Sequence, residues 1–341
     1  MNITLKNTLK TLALGILLAT SLHSAQAQAP PQISHTWVSG ILIRGGSMGT
    51  SASASVDSGA CDRANPCATF NYALGQTLAG GTISAVNAGD YGPVTINKSV
   101  TIDGTGTLAA ISGAVNTSAI TISGAGNTVI LRHLTLNGLG TAGSTGILVN
   151  SGNVVVDDCK LTGFTTAGID LAITSGTEIV QNTAISNSPQ AIGIRIGAAS
   201  SIGIAATAVK SFGFLQASPL LASLKDVTVE DAMVGVQAFT GATDIKDSLL
   251  TQNMTNAVSA QQSGVTISVS GCVLSGNNSS AVTSVAGAIV RLTNNDIFNN
   301  GGAIDNTGRV STTGDNRRAG NTTATTPTAP SDQPSAAIVQ Q

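Results

Sequence analysis

A period of about 23 residues runs through most of this chain, and nothing else limits its fold so strongly. Seven segments align: RHLTLNG, DDCKLTG, QNTAISN, KDVTVED, KDSLLTQ, SGCVLSG and NNDIFNN. Their central aliphatic residues are Leu136, Leu161, Ile185, Val229, Leu250, Leu274 and Ile297, at successive spacings of 25, 24, 44, 21, 24 and 23. The spacing of 44 reads as two periods, with Val209 inside it. A second column holds Ile147, Ile169, Ile194, Phe214, Val236, Val258, Val282 and Ile304, each after a small or polar residue. A third is glycine: Gly152, Gly176, Gly197, Gly241, Gly264, Gly287 and Gly308.

Within each repeat, aliphatic residues alternate with others, as at Leu134 and Leu136 or Val154 and Val156. That is the period of a strand, and no helical spacing competes with it. Gly, Asn, Asp and Ser separate about three short strands per repeat. Strands so short cannot bury their apolar faces alone. Stacked coil upon coil, they pair in parallel about 4.8 Å apart and line up internal aliphatic ladders. Strand twist and crossover handedness favour right-handed coiling. The expected fold is all-β: a right-handed parallel β-helix solenoid of about 8–10 coils over residues 82–310. The leucine-rich-repeat pattern is missing, and a β-sandwich would not hold a fixed period.

Composition agrees. Hydrophobic residues make up 42% of the chain, which excludes general disorder, while charged residues are 9% and aromatic ones 3%. The net charge of −2 supplies no basic field for nucleic acid. At the N-terminus, Lys6 and Lys10 precede an apolar stretch over residues 11–22. Ala25-Gln26-Ala27 and Ala27-Gln28-Ala29 fit a small-x-small pattern, so residues 1–27 read as a signal peptide cleaved after Ala27 or Ala29. The apolar stretch is shorter than the roughly 20 residues that span a bilayer. The mature chain is expected to be secreted or periplasmic, monomeric and without a membrane span.

Residues 28–81 read as a lead-in, a loop bounded by Cys61 and Cys67, and a capping helix over 68–78 with Phe70, Leu74 and Leu78 at helical spacing. An oxidising compartment lets the two cysteines pair; free thiols or half a metal site are the alternatives. The first coil takes Ile83, Val94 to Ile96 and Val100 to Ile102. The polar, proline-containing residues 311–341 read as a disordered tail. Cys159 and Cys272 share a column five coils apart, about 24 Å, too far for a disulfide.

Three stretches carry a family resemblance: His35-Thr36-Trp37-Val38-Ser39-Gly40, Cys61 with Cys67-Ala68-Thr69-Phe70, and GDYGPVTINKSVTIDG at residues 89–104. With them the chain, over about residues 35–310, resembles bacterial exported right-handed β-helix repeat proteins of the pectate-lyase-like superfamily. The resemblance implies fold and export and says little about activity.

Catalysis on polysaccharide makes recognisable demands. A lyase needs carboxylates for Ca²⁺ and a nearby Arg or Lys, and a hydrolase needs converging carboxylates. A polygalacturonase-like pattern would show Asn-Thr-Asp, Asp-Asp, Gly-His-Gly and Arg-Ile-Lys. Here Asp157-Asp158 is present, the first and third motifs are missing, and Arg195-Ile196 is followed by Gly197. No catalytic residue is assigned. Three positions before each column-one aliphatic stand His133, Asp158, Asn182, Asp226, Asp247, Gly271 and Asn294, which suits a left-handed turn. The residues before them (Arg132, Asp157, Gln181, Lys225, Lys246, Ser270 and Thr293) read as a solvated stripe.

The candidate ligand patch is Asp226 and Asp247, about 5 Å apart on stacked coils and able to hold Ca²⁺, with Lys225 and Lys246 beside them to contact an acidic sugar. No cofactor is required. His23, His35 and His133 lack triad or metal-spaced partners. Trp37 and Tyr91 either stack on a sugar or pack near the cap. The expected function is an exported, non-catalytic scaffold that binds carbohydrate or a cell-surface partner. The alternative is a polysaccharide-active enzyme, a lyase or glycoside hydrolase.

Overall fold

Alternation along each strand sends Val154 and Val156 inward and leaves Val155 outside, and the same rule repeats through the chain. A computed structural model describes residues 32–40, 56–197, 220–305 and 307–323. The expected signal peptide with Ala27 and Ala29, Val209, Phe214 and residues 324–341 lie outside that set.

Parallel pairing stacks the inward residues into three ladders. One runs Ile111, Leu136, Leu161, Ile185, Val229, Leu250, Leu274, Ile297. A second runs Val94, Ile120, Ile147, Ile169, Ile194, Val236, Val258, Val282, Ile304. The third includes Ile83, Ile102, Leu131, Val156 and Val180. These side chains are at most 3% exposed. Each fully buried aliphatic side chain contributes about 1.5–3 kcal/mol of transfer free energy. The three faces close into a parallel β-helix of about nine turns.

The spacing of 44 is a single coil. Ile185 pairs directly with Val229, and Ile194 with Val236. The glycine column changes accordingly. Leu220 pairs with Gly176, while Gly197 ends the strand Ile192–Ile196 and donates its N–H to the Leu171 carbonyl at 2.9 Å. Cys159 and Cys272 are therefore four coils apart, about 19 Å. Both are buried free thiols.

The small residue before each column-two aliphatic has a packing cause. A Cβ at Gly193 would lie 2.3 Å from Cγ1 of Val229 and 2.4 Å from the Gly235 carbonyl oxygen. The narrow interior leaves room there only for Gly or, further along, Ala. Polar ladders accompany the aliphatic ones. Asn253, Asn277, Asn300 and Asn321 form a chain, each Nδ2 donating to Oδ1 of the next.

Both ends depart from the expected boundaries. The strand Ile33–Val38 pairs with Thr77–Ala85, so the assigned lead-in already supplies solenoid structure. Cys61 and Cys67 form a disulfide. Their loop covers the outer edge of Ile33–Val38: Trp37 N–H donates to Cys61 O, and Cys67 N–H to Trp37 O. The helix Phe70–Gln76 is capped by Thr69 and buries Phe70, Ala73 and Leu74. Leu78 falls instead in the next strand and is exposed. At the other end, the strands Arg309–Thr312 and Arg317–Ala319 extend the coil into residues expected to be disordered. Asn316 and Asn321 anchor that last turn by extending the asparagine ladders. Arg318 occupies the next position of the first ladder and ends its apolar run. Among the described residues, no helix is long and apolar enough to cross a membrane.

Candidate functional site

The corner between the first-ladder and third-ladder faces is built from one left-handed residue per coil. His133, Asp158, Asn182, Asp226, Asp247, Gly271 and Asn294 have φ of 56°, 48°, 50°, 53°, 48°, 66° and 49°. Asp, Asn and Gly tolerate that conformation, so a single residue turns the chain. The first coils turn differently, with longer loops at residues 86–88 and 104–108. The step from long loops to tight corners opens a cleft of about 790 Å³.

Polar groups line this cleft in a connected row. Nδ1 of His133 is 2.8 Å from Thr105 Oγ1, and its Nε2 is 3.3 Å from Asp158 Oδ2. Behind the corner, Arg132 donates to Asp103 at 2.9 Å, and Asn182 Nδ2 donates to Asp157 Oδ1 at 2.8 Å. Burial works against the charge of Asp103, but hydrogen bonds from Thr105 and Arg132 outweigh it and hold the carboxyl below its usual range. Lys160 lines the cleft, is exposed and, among the described residues, has no acidic partner. Leu108 and Val86 add exposed aliphatic surface, 72% and 40% accessible.

Two solved structures are similar to this chain. One is the crystal structure of pectate lyase Pel9A, 12% identical, covering 87% of this chain and 79% of that one, with a TM-score of 0.48. The other is ORF18 of Geobacillus virus E2, 13% identical, covering 74% of this chain and 54% of that one, with a TM-score of 0.39. No protein-family description and no curated protein matches the sequence. The fold assignment rests on the registers of the ladders.

Asp226 and Asp247 continue the same corner beyond the cleft, on adjacent coils. Lys225 lies 3.3 Å from Asp226, as expected of neighbours, but Lys246 turns to Asp244 at 2.7 Å rather than to Asp247. Among the described residues, no group of three or more His, Cys, Asp or Glu side chains is placed to hold a metal. Tyr91 packs inside against Phe70, with ring centroids 4.8 Å apart, so it cannot meet a sugar.

Two carboxyls escaped the sequence reading. Glu178 takes an inward position between Val154 and Ala222 and is fully buried. Its Oε2 accepts the Val154 N–H at 2.6 Å, and burial pushes its pKa up to about 8. Asp170 is raised by burial and held in part by Arg195 at 3.4 Å. The strand alternation places Glu178 inward and is the one signal that could have found it.

Proposed function

We propose that the chain is an exported β-helix scaffold that binds a carbohydrate chain in the corner cleft without cleaving it. The observation that carries this reading is the lining of the cleft: exposed Leu108 and Val86 beside hydroxyl, amide, imidazole and ammonium groups. A sugar offers the matching surface, apolar C–H faces rimmed by hydroxyls. A few placed polar groups in an otherwise apolar recess are what small-molecule recognition uses.

Hydrolytic cleavage would need a carboxyl kept protonated near neutral pH and a second one facing it. The raised carboxyls, Asp170 and Glu178, line no part of the cleft. Asp158 is engaged by His133, and Asp103 by Arg132. The Cys61–Cys67 disulfide supports export, since such bonds persist in oxidising compartments.

Glycan-array binding with the full chain tests the proposal. Binding is expected, weakened about tenfold by Lys160→Ala or Asn182→Ala. Release of unsaturated or reducing ends from any bound glycan would overturn the non-catalytic reading. Unchanged affinity in both variants would remove the cleft from it.

A further inference from the structure

The corner cleft does not end at His133. A second recess of about 440 Å³ adjoins it and shares Val86, Gly106 and Thr107 with it. Its far wall is Trp37 and Arg63. We propose that Trp37 and Arg63 form a stacking subsite for an acidic sugar at the N-terminal end of one continuous groove. This rests on the carbohydrate reading and adds the ligand's length and charge.

Trp37 is not part of the buried core. It alternates with Thr36 and Val38, which are fully buried, and so stands on the outer face of its strand. It is the chain's single tryptophan, in a sequence with 3% aromatic residues. His35 covers one face of the indole, with ring centroids 4.0 Å apart and planes 16° from parallel. His35 is itself held by Ser84 Oγ at 2.9 Å. The ring is thus braced from behind while it lines the recess. An indole presented in this way suits the C–H face of a pyranose.

Charge supplies the second half of the argument. Along this column Asp103 is paired with Arg132, Asp158 faces His133, and Asp157 accepts a hydrogen bond from Asn182. Arg63 and Lys160, near opposite ends, are exposed and, among the described residues, have no acidic side chain within ion-pair distance. Arg63 sits in the Cys61–Cys67 loop, whose backbone is pinned to Trp37 on both sides. The loop therefore holds the backbone that carries Arg63 next to the indole. Arg63 and Lys160 thus offer one cation toward each end of the groove, which suits a chain bearing anionic groups.

The ladder register sets the length. Trp37, Ser84, Asp103, Arg132, Asp157 and Gln181 occupy one column on successive coils. Five steps of about 4.8 Å make about 24 Å from the indole to the Asn182 end of the cleft. A ligand that meets both ends is an oligomer of several rings.

The experiment titrates the full chain with alginate octamers, alginate dimers and cello-oligosaccharide octamers while following tryptophan emission, which reports Trp37 alone. The alginate octamer is expected to quench or shift the emission. It should bind about tenfold more weakly to Trp37→Ala and to Arg63→Ala, with circular-dichroism melts confirming that both variants fold. Dimers should bind at least tenfold more weakly than octamers. Octamer binding with unchanged emission and unchanged affinity in Trp37→Ala would overturn the subsite and leave the cleft reading standing. Equal affinity for the neutral octamer would overturn the acidic class. Absence of binding by every probe, with Lys160→Ala identical to the parent on the glycan array, would sink both readings.

Discussion

Nδ2 of Asn277 lies 2.8 Å from Oδ1 of Asn300, its equivalent one coil further along the solenoid. The same Oδ1 also accepts the backbone N–H of Asn277, at 3.0 Å. Asn277, at 1% exposed, thereby serves at least three groups in a site that water does not reach. Asn277→Ala leaves Asn253 Nδ2, the Asn253 N–H and Asn300 Oδ1 with weaker or missing partners. We expect a loss of about 2–4 kcal/mol, read as a lower urea midpoint.

Gly193 is required by contact. Its added methyl would collide with the side chain of Val229 and the carbonyl of Gly235, neither of which has space to retreat. Gly193→Ala should cost about 1–3 kcal/mol or prevent folding. The double variant Gly193→Ala with Val229→Ala should recover part of that loss in thermal melts.

The Cys61–Cys67 loop protects a strand edge. Cys61→Ser with Cys67→Ser removes the cross-link while keeping the loop sequence. The expected loss is about 2 kcal/mol, with faster amide exchange at Trp37 and Ser39, whose N–H groups donate to Cys61 and Cys67 carbonyls. Unchanged exchange at both amides would show that the loop holds the edge without its disulfide.

Glu178 should make stability depend on pH. Its folded pKa of about 8 lies above the ordinary glutamate value of 4.5, so the folded state holds the proton more tightly. The stabilising contribution is complete below about 4.5 and is lost as pH rises to about 8. The melting temperature should fall across that window, by the equivalent of a few kcal/mol at most. Glu178→Gln should flatten the profile.

Asp226 tests the corner column. At φ of 53°, Asp226→Gly should be neutral or slightly stabilising, whereas Asp226→Ala should cost about 1 kcal/mol in thermal melts.

Much of this molecule was readable along the chain. Apart from the step between Ile185 and Val229, the aliphatic columns from Leu136 to Ile297 and from Ile147 to Ile304 pair as their spacing indicated, because strand alternation is a local property. The left-handed turns at His133, Asp158, Asn182, Asp226, Asp247 and Asn294 were equally legible, since tolerance of that backbone belongs to the residue type. Other features depended on which coil lies against which. Pairing of Ile185 with Val229 decided that a spacing of 44 is one coil, which no count of residues reveals. Burial of Glu178 followed from its place between Val154 and Ala222. The cleft exists because loops of unequal length sit on adjacent coils, and only stacking brings Trp37 into the same column as Arg132. Sequence determined the repeating unit and its turns through short-range chemistry. The tertiary structure decided the register of coils, and with it the groove, because side chains distant in the sequence become neighbours only when the strands pair.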